Sequence, residues 1–292
     1  MSDKVTVITF TDPMMGLSYE SEPVFRKLET HFAEKIEFKY LMSVLVKNVY
    51  DFVNPADLSI SREFALKNYN AKLARIYESE ESISGMPIIM TDFQLFSIHE
   101  TTSLPLNLAY KSAQLVDESK AEQFLYNLRY ATIVDCKQTT RLEEILNVVR
   151  KTGLDEEKFL KHFKGETSKE KLKEDLNFAY KLRIRTLPAY LIEYNGEGVL
   201  FQELLGYEDF IRIIEKLTGG AVKPKGAEKL ERALRKLLER HPLISSVELR
   251  EAFDFGSMDE VKKFIAPLIE NGEIKIVEVE RGWFAKKIQV IR

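Results

Sequence analysis

Residues that could carry redox, metal or nucleophilic chemistry are few in this sequence, and they lie far apart. Cys136 is the single cysteine among 292 residues, so an intramolecular disulfide is impossible. Its neighbours Asp135 and Lys137 favour a partly buried small residue over a reactive thiol. No histidine has a carboxylate or another histidine at ligand spacing, so we expect solvated histidine side chains and no metal site. The four are His31, His99, His162 and His241.

The bulk composition argues against several classes of partner. Acidic and basic side chains nearly balance, and a net charge of −3 gives no electrostatic reason to expect nucleic acid or an anionic membrane as the main partner. The N-terminus lacks a basic region followed by a long apolar stretch, and no apolar run approaches the roughly 18 residues that span a bilayer. We therefore expect a cytoplasmic protein without a membrane anchor.

The first forty residues predict a βαβ unit. Residues 5–10 are β-branched and aromatic and indicate a buried strand, while residues 36–41 alternate apolar with polar and indicate a second strand. Between them, residues 19–32 carry apolar side chains close to helical spacing. The two strands are parallel if this helix is their crossover.

Helical periodicity then dominates residues 55–181, which we interpret as a large helical insertion. Predicted helices within it cover residues 62–80, 103–117, 120–133, 139–151, 155–163 and 168–181. Strand character returns at 189–194 and 199–202, and the Asn-Gly turn between these segments predicts a hairpin. A helix over residues 207–217 closes this region.

The stretch 219–226 has the glycine, proline and lysine content of a linker, so we place a domain boundary there, between residues 1–218 and residues 227–292. Three helices followed by a two-stranded ribbon are predicted beyond it, which is the order of elements in a winged helix. Trp283 and Phe284 are expected to cover its small core. These elements are helices 227–240, 246–253 and 257–271 and strands 273–279 and 283–290.

The third of these helices would be the recognition helix of a DNA-binding winged helix. Two acidic residues at its start, Asp259 and Glu260, would face phosphates, and the domain is not strongly basic. We therefore expect a protein interaction or dimerisation surface rather than nucleic-acid binding.

The loop between the first strand and the first helix carries a family resemblance. The sequence over residues 10–19, with a Glu-Pro pair soon after, resembles the stretch around the Cys-x-x-Cys motif of DsbA-like thioredoxin-fold proteins. In that family an aspartate, a proline and a hydrophobic residue precede the motif, and an aromatic residue follows it. Here the four motif positions are occupied by Met15, Gly16, Leu17 and Ser18.

A second element of the resemblance lies before the hairpin. Thr186, Leu187 and Pro188 resemble the family loop in which a cis proline faces the motif. Together the matches span residues 5–217. They imply an α/β thioredoxin-like fold with a large helical insertion, followed by the winged-helix-like domain.

The substitutions at the motif bear directly on activity. The family's chemistry needs a thiolate of lowered pKa at a helix N-terminus and a second thiol that resolves the mixed disulfide. Met15, at the attacking position, has a thioether without an acidic proton. Ser18, at the resolving position, has a hydroxyl that a helix terminus cannot ionise near neutral pH without a general base. The resemblance therefore implies a scaffold without dithiol redox activity.

A binding groove is the function that such a scaffold would keep. Free N–H groups at the helix start and the cis-proline loop can receive an anionic group or an extended peptide. We predict a protein-binding or adaptor role, with Met15 exposed to the partner and the homo-oligomeric state left open. The layout also resembles bacterial adaptors that hand a transcription factor to an ATP-dependent protease. The groove is predicted to comprise Pro13, Met14, Thr186, Leu187 and Pro188, with Met14 closest to the core.

Two alternatives stay open. The chain is also similar to the kappa-class glutathione transferases and related isomerases, which implies glutathione as cofactor; otherwise no cofactor is expected. The serine that helps activate the thiol in that family matches Met15, so Ser18 more simply caps or lines the loop before the helix. Family membership alone would suggest a third function, disulfide oxidoreductase or isomerase.

Overall fold

The computed structural model describes residues 4–288, and its N-terminal part is built on a four-stranded sheet. β1 (Val5–Thr11) pairs in parallel with β2 (Ile36–Met42) and antiparallel with β3 (Ala189–Tyr194), which pairs antiparallel with β4 (Glu197–Phe201). The strand order is β2-β1-β3-β4. The β-branched and aromatic side chains of these strands suit a pleated, buried surface. The predicted βαβ unit and hairpin are confirmed.

Two helices, rather than the single predicted helix, connect β1 to β2. α1 (Gly16–Glu20) and α2 (Glu22–Phe32) are separated at Ser21. Pro23 lies in the first turn of α2. Because proline has no N–H, it interrupts a continuing helix but is tolerated in a first turn, so the helix restarts there.

Helices fill the insertion between β2 and β3, as predicted. They are α3 (Pro55–Ile60), α4 (Arg62–Glu80), α5 (Leu104–Val116), α6 (Ala121–Ile133), α7 (Leu142–Thr152), α8 (Glu156–Lys164) and α9 (Glu166–Lys181). The prediction missed α3, because six residues carry too little periodicity, although the Asn54 side chain caps it by accepting a hydrogen bond from the Ala56 N–H at 3.0 Å. After β4, α10 (Tyr207–Thr218) completes the thioredoxin-like part.

The C-terminal part, which we call the tail, has the predicted order of helices and strands plus one additional strand. Its elements are α11 (Glu231–Arg240), β5 (Leu243–Ser245), α12 (Ser246–Ala252), α13 (Met258–Glu270), β6 (Ile274–Val279) and β7 (Gly282–Lys287). The three strands form an antiparallel sheet in the order β5-β7-β6. The last residues of the predicted final strand, 289 and 290, lie outside the described residues. The winged-helix assignment stays a prediction. Across residues 4–288, no helix combines the length and apolar character that crossing a bilayer requires.

Both faces of the tail sheet are covered. On one face, Trp283 and Ala285 of β7 pack with the helices of the tail. On the other face, Phe284 packs edge-on against Tyr130 of α6, with ring centroids 4.9 Å apart, and belongs to the core of the helical insertion. One strand serves two cores because successive side chains point to opposite faces. Trp283 thus covers the small core as expected, whereas Phe284 does not.

The predicted linker, residues 219–226, is packed against the thioredoxin-like part. Val222 is buried in the core that contains the sheet and α10. The backbone N–H of Lys225 donates to the carbonyl of His31, at the end of α2, at 2.7 Å. α12 of the tail also lies along α2. Residues 219–226 are therefore not a free tether, and the domain boundary stays a prediction.

Candidate functional site

The buried carboxylate of Asp12 organises the loop between β1 and α1. Its Oδ1 accepts a hydrogen bond from the Met14 N–H at 3.0 Å, and its Oδ2 accepts one from the Leu45 N–H at 2.9 Å. Oδ2 also accepts from Ser103 Oγ at 2.6 Å and from Asn107 Nδ2 at 2.8 Å. Burial raises the pKa of the Asp12 carboxyl, and these hydrogen bonds oppose that rise. Sequence reasoning placed Asp12 at the end of the first strand and in the stretch that carries the family resemblance, but it did not predict these hydrogen bonds.

The cis-proline loop lies beside this segment. The Leu187–Pro188 peptide bond is cis, as predicted. Phe10 of β1 pairs with Ala189 of β3, so the register places Pro188 next to the end of β1. Thr186 is exposed and its Oγ1 donates to the Gln202 carbonyl at 2.7 Å, whereas Pro188 is buried. The fold therefore brings together the two segments that carry the resemblance.

The motif positions are mostly buried, which corrects one prediction. Met15 was expected to be exposed to a partner, but only 7% of it is accessible. Met14 belongs to the core of the insertion, as expected. Gly16 and Ser18 are also buried, and Leu17 alone is partly exposed. The open surface at this loop is therefore smaller than the sequence suggested.

The C-terminal end of α4 covers the motif. The Tyr77 hydroxyl donates a hydrogen bond to the Met14 carbonyl. A Cβ atom at Gly16 would clash with Glu80 Oε2 and would lie 2.6 Å from Tyr77 Cδ1. Only glycine fits this position without movement of its neighbours, because real Cβ contacts are never so short. No local pattern in the sequence indicates that a helix 60 residues away closes over this loop.

Two glutamates near the motif, Glu20 at the end of α1 and Glu80 at the end of α4, have raised pKa values. Burial raises the pKa of Glu80 to about 7. Burial also raises the pKa of Glu20 to about 8, although Ser84 donates to Glu20 Oε2 from its backbone N–H at 3.0 Å and from its hydroxyl at 2.5 Å. Near neutral pH these carboxyls are at least partly protonated.

The Ser18 hydroxyl begins a buried polar chain. Ser18 Oγ lies 2.7 Å from Thr11 Oγ1. Arg129 of α6 donates from Nη2 to Thr11 Oγ1 at 3.1 Å and from Nη1 to Glu22 Oε1 at 2.6 Å. Because Arg129 is fully buried, its positive charge needs the carboxylate of Glu22 to neutralise it. Ser18 lines the loop as the simpler interpretation held, and its hydroxyl is engaged.

The polar chain continues through Arg26 into the tail. Arg26 donates from Nη2 to Glu22 Oε2 and from Nη1 to Glu29 Oε2, each at 2.7 Å. Its Nε lies 3.5 Å from Oε1 of Glu248 on α12. The other oxygen of Glu248 accepts a hydrogen bond from the Tyr126 hydroxyl at 2.5 Å. Burial raises the pKa of Glu248 and Arg26 opposes this rise.

Two of the four histidines are buried, contrary to the expectation of solvated side chains. His31 Nδ1 lies 2.6 Å from the Tyr207 hydroxyl. His241 Nε2 lies 2.7 Å from Glu29 Oε2. Burial alone would raise the pKa of Glu29, but His241, with Arg26 and a second arginine, holds it at about 2. Glu29 and His241 are 212 residues apart, so their contact gives no signal in local spacing.

Cys136 is half-buried at the end of α6 and is not part of this site. Its Sγ donates to the Ile89 carbonyl at 2.8 Å. Burial, with a contribution from Asp135, raises the pKa of the thiol to about 11. Among residues 4–288, no group of histidine, cysteine and acidic side chains could hold a metal ion. The site thus brings buried hydrogen-bonded hydroxyls and carboxyls together without a free nucleophile in the described loop.

A sheet of this order, a cis proline beside the β1–α1 loop and a helical insertion between β2 and β3 define a DsbA-like thioredoxin fold. The chain belongs to the thioredoxin family, because a family model described as thioredoxin matches residues 8–210, which is more than half of the sequence.

Two solved structures share this fold. One is a putative protein disulfide isomerase from Nitrosomonas europaea, with a TM-score of 0.60 and 15% identity over 74% of this chain and 98% of that chain. The other is a probable DsbA oxidoreductase from Streptomyces coelicolor, with a TM-score of 0.56 and 14% identity over 74% of this chain and 90% of that one. At such identities the likeness shows the fold alone.

A curated relative extends the similarity into the tail. The ClpXP adapter protein SpxH of Bacillus subtilis is 24% identical over 287 residues, covering 97% of this chain and 89% of that protein. The family model ends at residue 210, so a match of this length necessarily includes most of the tail.

Proposed function

We propose that this protein is a cytoplasmic adaptor that delivers a protein substrate to an ATP-dependent protease of the ClpXP type and takes no part in dithiol exchange. One observation carries the proposal: the similarity to SpxH covers the thioredoxin-like part and the tail together. Proteins that share only the fold align with about three quarters of the chain. The combination of the two parts is therefore what relates this chain to an adaptor.

The chemistry of the motif supports the absence of dithiol exchange. A thioether at Met15 and a hydroxyl at Ser18 cannot form a mixed disulfide. Cys136 is held mostly as the thiol at neutral pH, because its pKa is about 11. The polar groups around α1 are instead used to join parts of the structure.

The first docking surface that we propose is the open remainder of the predicted groove. Leu17 and Leu187 are partly exposed and Thr186 is exposed. Leu17 lies in the first turn of α1, which follows β1, and Thr186 and Leu187 lie in the loop that precedes β3, whose start pairs with the end of β1. Partly exposed leucines beside polar groups suit a protein partner, since apolar contacts supply affinity and polar ones fix orientation. Met14, Met15 and Pro188 are buried and therefore contribute little to this surface.

The adaptor role is tested by protein turnover. Deleting the gene in its native cell should lengthen the half-lives of a few proteins at least twofold after protein synthesis is blocked, as followed by quantitative mass spectrometry. Each stabilised protein is then mixed with purified ClpXP from the same organism, with and without this chain. We expect faster degradation when the chain is present. If none of them is degraded faster, the adaptor proposal is wrong.

The groove is tested in the same reconstituted reaction. Leu17→Glu combined with Leu187→Glu should abolish the acceleration, because two carboxylates would replace the apolar contacts. Leu142→Glu introduces the same kind of charge at an exposed leucine on the insertion and serves as the matched control. Equal acceleration by both variants would remove the groove from the proposal.

The two rival functions have direct tests. If the protein were a glutathione-dependent enzyme, calorimetric titration would show glutathione binding at millimolar concentration or tighter, and Leu187→Glu would abolish it. We expect no binding, because the Ser18 hydroxyl is buried and hydrogen-bonded with Thr11. If the protein were a disulfide oxidoreductase, it would show turnover in an insulin-reduction assay. We expect no turnover, and turnover that persists in Cys136→Ala would contradict our interpretation of the motif.

A further inference from the structure

A cleft of about 480 Å³ lies between the tail sheet and the helical insertion. Its floor is apolar and includes Tyr130 of α6, Leu243 of β5 and Val277 of β6. Leu243 and Val277 lie on the sheet face that carries Phe284, and Tyr130 packs against that face from α6. The cleft is therefore the part of this junction that packing does not fill.

Two lysines face each other at the rim of the cleft. Lys275 of β6 is directly opposite Lys286 of β7 in the antiparallel register. Directly opposite side chains lie on one face with Cβ atoms about 5 Å apart, and like charges in that arrangement destabilise a sheet. Within the part of the chain that the structure describes, neither lysine forms an ion pair. A repulsive pair of this kind is explained if a ligand supplies the missing negative charge.

The described lining of the cleft carries a net positive charge. Besides Lys275 and Lys286 it includes Lys151, whose ammonium lies 3.4 Å from the carboxylate of Asp135, the only acidic side chain in that lining. Lys287 also lines the cleft, although its side chain starts from the opposite face of β7. A cationic rim over an apolar floor matches a ligand that carries carboxylates next to an apolar group. Polypeptide segments that contain aspartate or glutamate beside a large apolar residue have this chemistry.

We propose that this cleft binds an acidic segment of a protein partner. Carboxylates of the segment meet Lys275 and Lys286, and a neighbouring apolar side chain packs on Tyr130 and Val277. The inference rests on the proposed adaptor function, because an adaptor holds two proteins at once and needs a second surface besides the one around Leu17. The tail then contributes to recognition of the partner directly.

The test uses random nine-residue peptides displayed on phage and selected on the full-length chain. We expect enrichment of peptides with at least two carboxylates next to a large apolar residue. A synthetic fluorescein-labelled copy of the most enriched peptide then gives dissociation constants by fluorescence anisotropy. Lys275→Glu should weaken its binding about tenfold, equivalent to about 1.4 kcal/mol, and rising salt should weaken binding to the wild-type chain.

The choice of Lys275→Glu separates a loss of binding from a loss of folding. The substitution replaces a repulsive cross-strand pair with an attractive one, so the thermal midpoint should equal or exceed that of the wild-type chain. Lys262→Glu changes the charge equally on an exposed position of α13 and should leave peptide binding unchanged. The proposal is overturned if no acidic peptide is enriched, or if Lys275→Glu and Lys262→Glu bind it equally well.

Two further outcomes distinguish this inference from the adaptor function itself. If the wild-type chain accelerates degradation by ClpXP and Lys275→Glu does so equally, the cleft is not the second surface although the adaptor function stands. If sedimentation shows a wild-type dimer that Lys275→Glu converts to a monomer, the cleft holds a second copy of this chain, and the proposal is wrong.

Discussion

Arg26 of α2 and Glu248 of α12 meet inside the protein, with Arg26 Nε 3.5 Å from Glu248 Oε1 and both side chains almost completely buried. The pair joins the thioredoxin-like part to the tail. Arg26 also forms ion pairs with Glu22, Glu29 and Glu122, so one guanidinium pairs with four carboxylates.

Removing that guanidinium should be severely destabilising. We expect Arg26→Met to lower the free energy of unfolding by about 3–5 kcal/mol, because it leaves the buried Glu248 without its counter-charge and removes one of the cations that pair with Glu22 and Glu29. Urea denaturation followed by circular dichroism measures the change. Arg212→Met removes an exposed arginine that pairs with Asp209 and should cost less than about 1 kcal/mol. Equal losses in the two variants would contradict the role of Arg26.

Gly16 should tolerate no larger side chain. In Gly16→Ala, the new methyl group meets Tyr77 and Glu80, so we expect a loss of about 1–3 kcal/mol in the free energy of unfolding. Gly226→Ala places a methyl group where no atom lies within 4 Å and serves as the control. A stable Gly16→Ala protein would mean that α4 does not close over the motif.

Glu20 should make the protein less stable as the pH rises. Its pKa of about 8 in the folded state lies above the usual 4.5, so between these pH values the folded state retains a proton that the unfolded state releases. The contribution of Glu20 to the free energy of unfolding therefore falls as the pH increases from about 4.5 to about 8. Glu20→Gln should remove this slope and stabilise the protein at pH 8 by on the order of 1–3 kcal/mol.

Denaturation at several pH values measures the slope for Glu20. Glu78→Gln, at an exposed position of α4, should keep the slope of the wild-type protein. A slope that is unchanged in Glu20→Gln would show that Glu20 is ionised in the folded state.

The lysine pair of the cleft should limit stability. In Lys275→Glu the carboxylate faces Lys286, and we expect a gain of about 0.2–1 kcal/mol in the free energy of unfolding. High salt should reduce the difference from wild type, because it screens exposed charges. Lys262→Glu again provides the comparison. A loss of stability in Lys275→Glu alone would indicate that Lys275 makes a favourable contact.

Cys136 should react slowly with thiol reagents. With a pKa of about 11, its thiolate fraction at pH 8 is about a hundredfold below that of an ordinary cysteine. We expect the reaction with Ellman's reagent to be slower than that of free cysteine by a similar factor, and to accelerate steeply up to about pH 11. Urea-unfolded protein is the matched control and should react at the ordinary rate. A fast reaction in the folded protein would contradict the burial of Sγ.

Local patterns predicted the elements of the fold well. The alternation over residues 36–41 gave β2, and the Asn-Gly turn gave the hairpin of β3 and β4. The three-residue β5 was missed, since so short a strand has no period. The break at Ser21 was also missed, although Pro23 two residues later was a usable signal.

Contacts between distant segments were beyond sequence reasoning. The resemblance assigned Met15 to the motif, but its burial depends on how the chain packs around the loop, and Tyr77 and Glu80 of the insertion lie over the neighbouring Gly16. The burial of His241 depends likewise on Glu29, more than 200 residues earlier. A buried aspartate such as Asp12 does give a hint, because it needs several donors, but the sequence does not say which residues provide them.

Because β7 contributes side chains to two cores, the tail is held in a fixed position against the helical insertion. If the chain were divided near Gly220 and the two parts separated, Tyr130 would lose its contact with Phe284 and Arg26 its contact with Glu248. Each part would then expose apolar surface that is buried in the intact protein. The orientation of the two proposed docking surfaces relative to each other would therefore be fixed when the chain folds. A cargo and a protease held by such a body would meet in one orientation, without the search that a hinge allows.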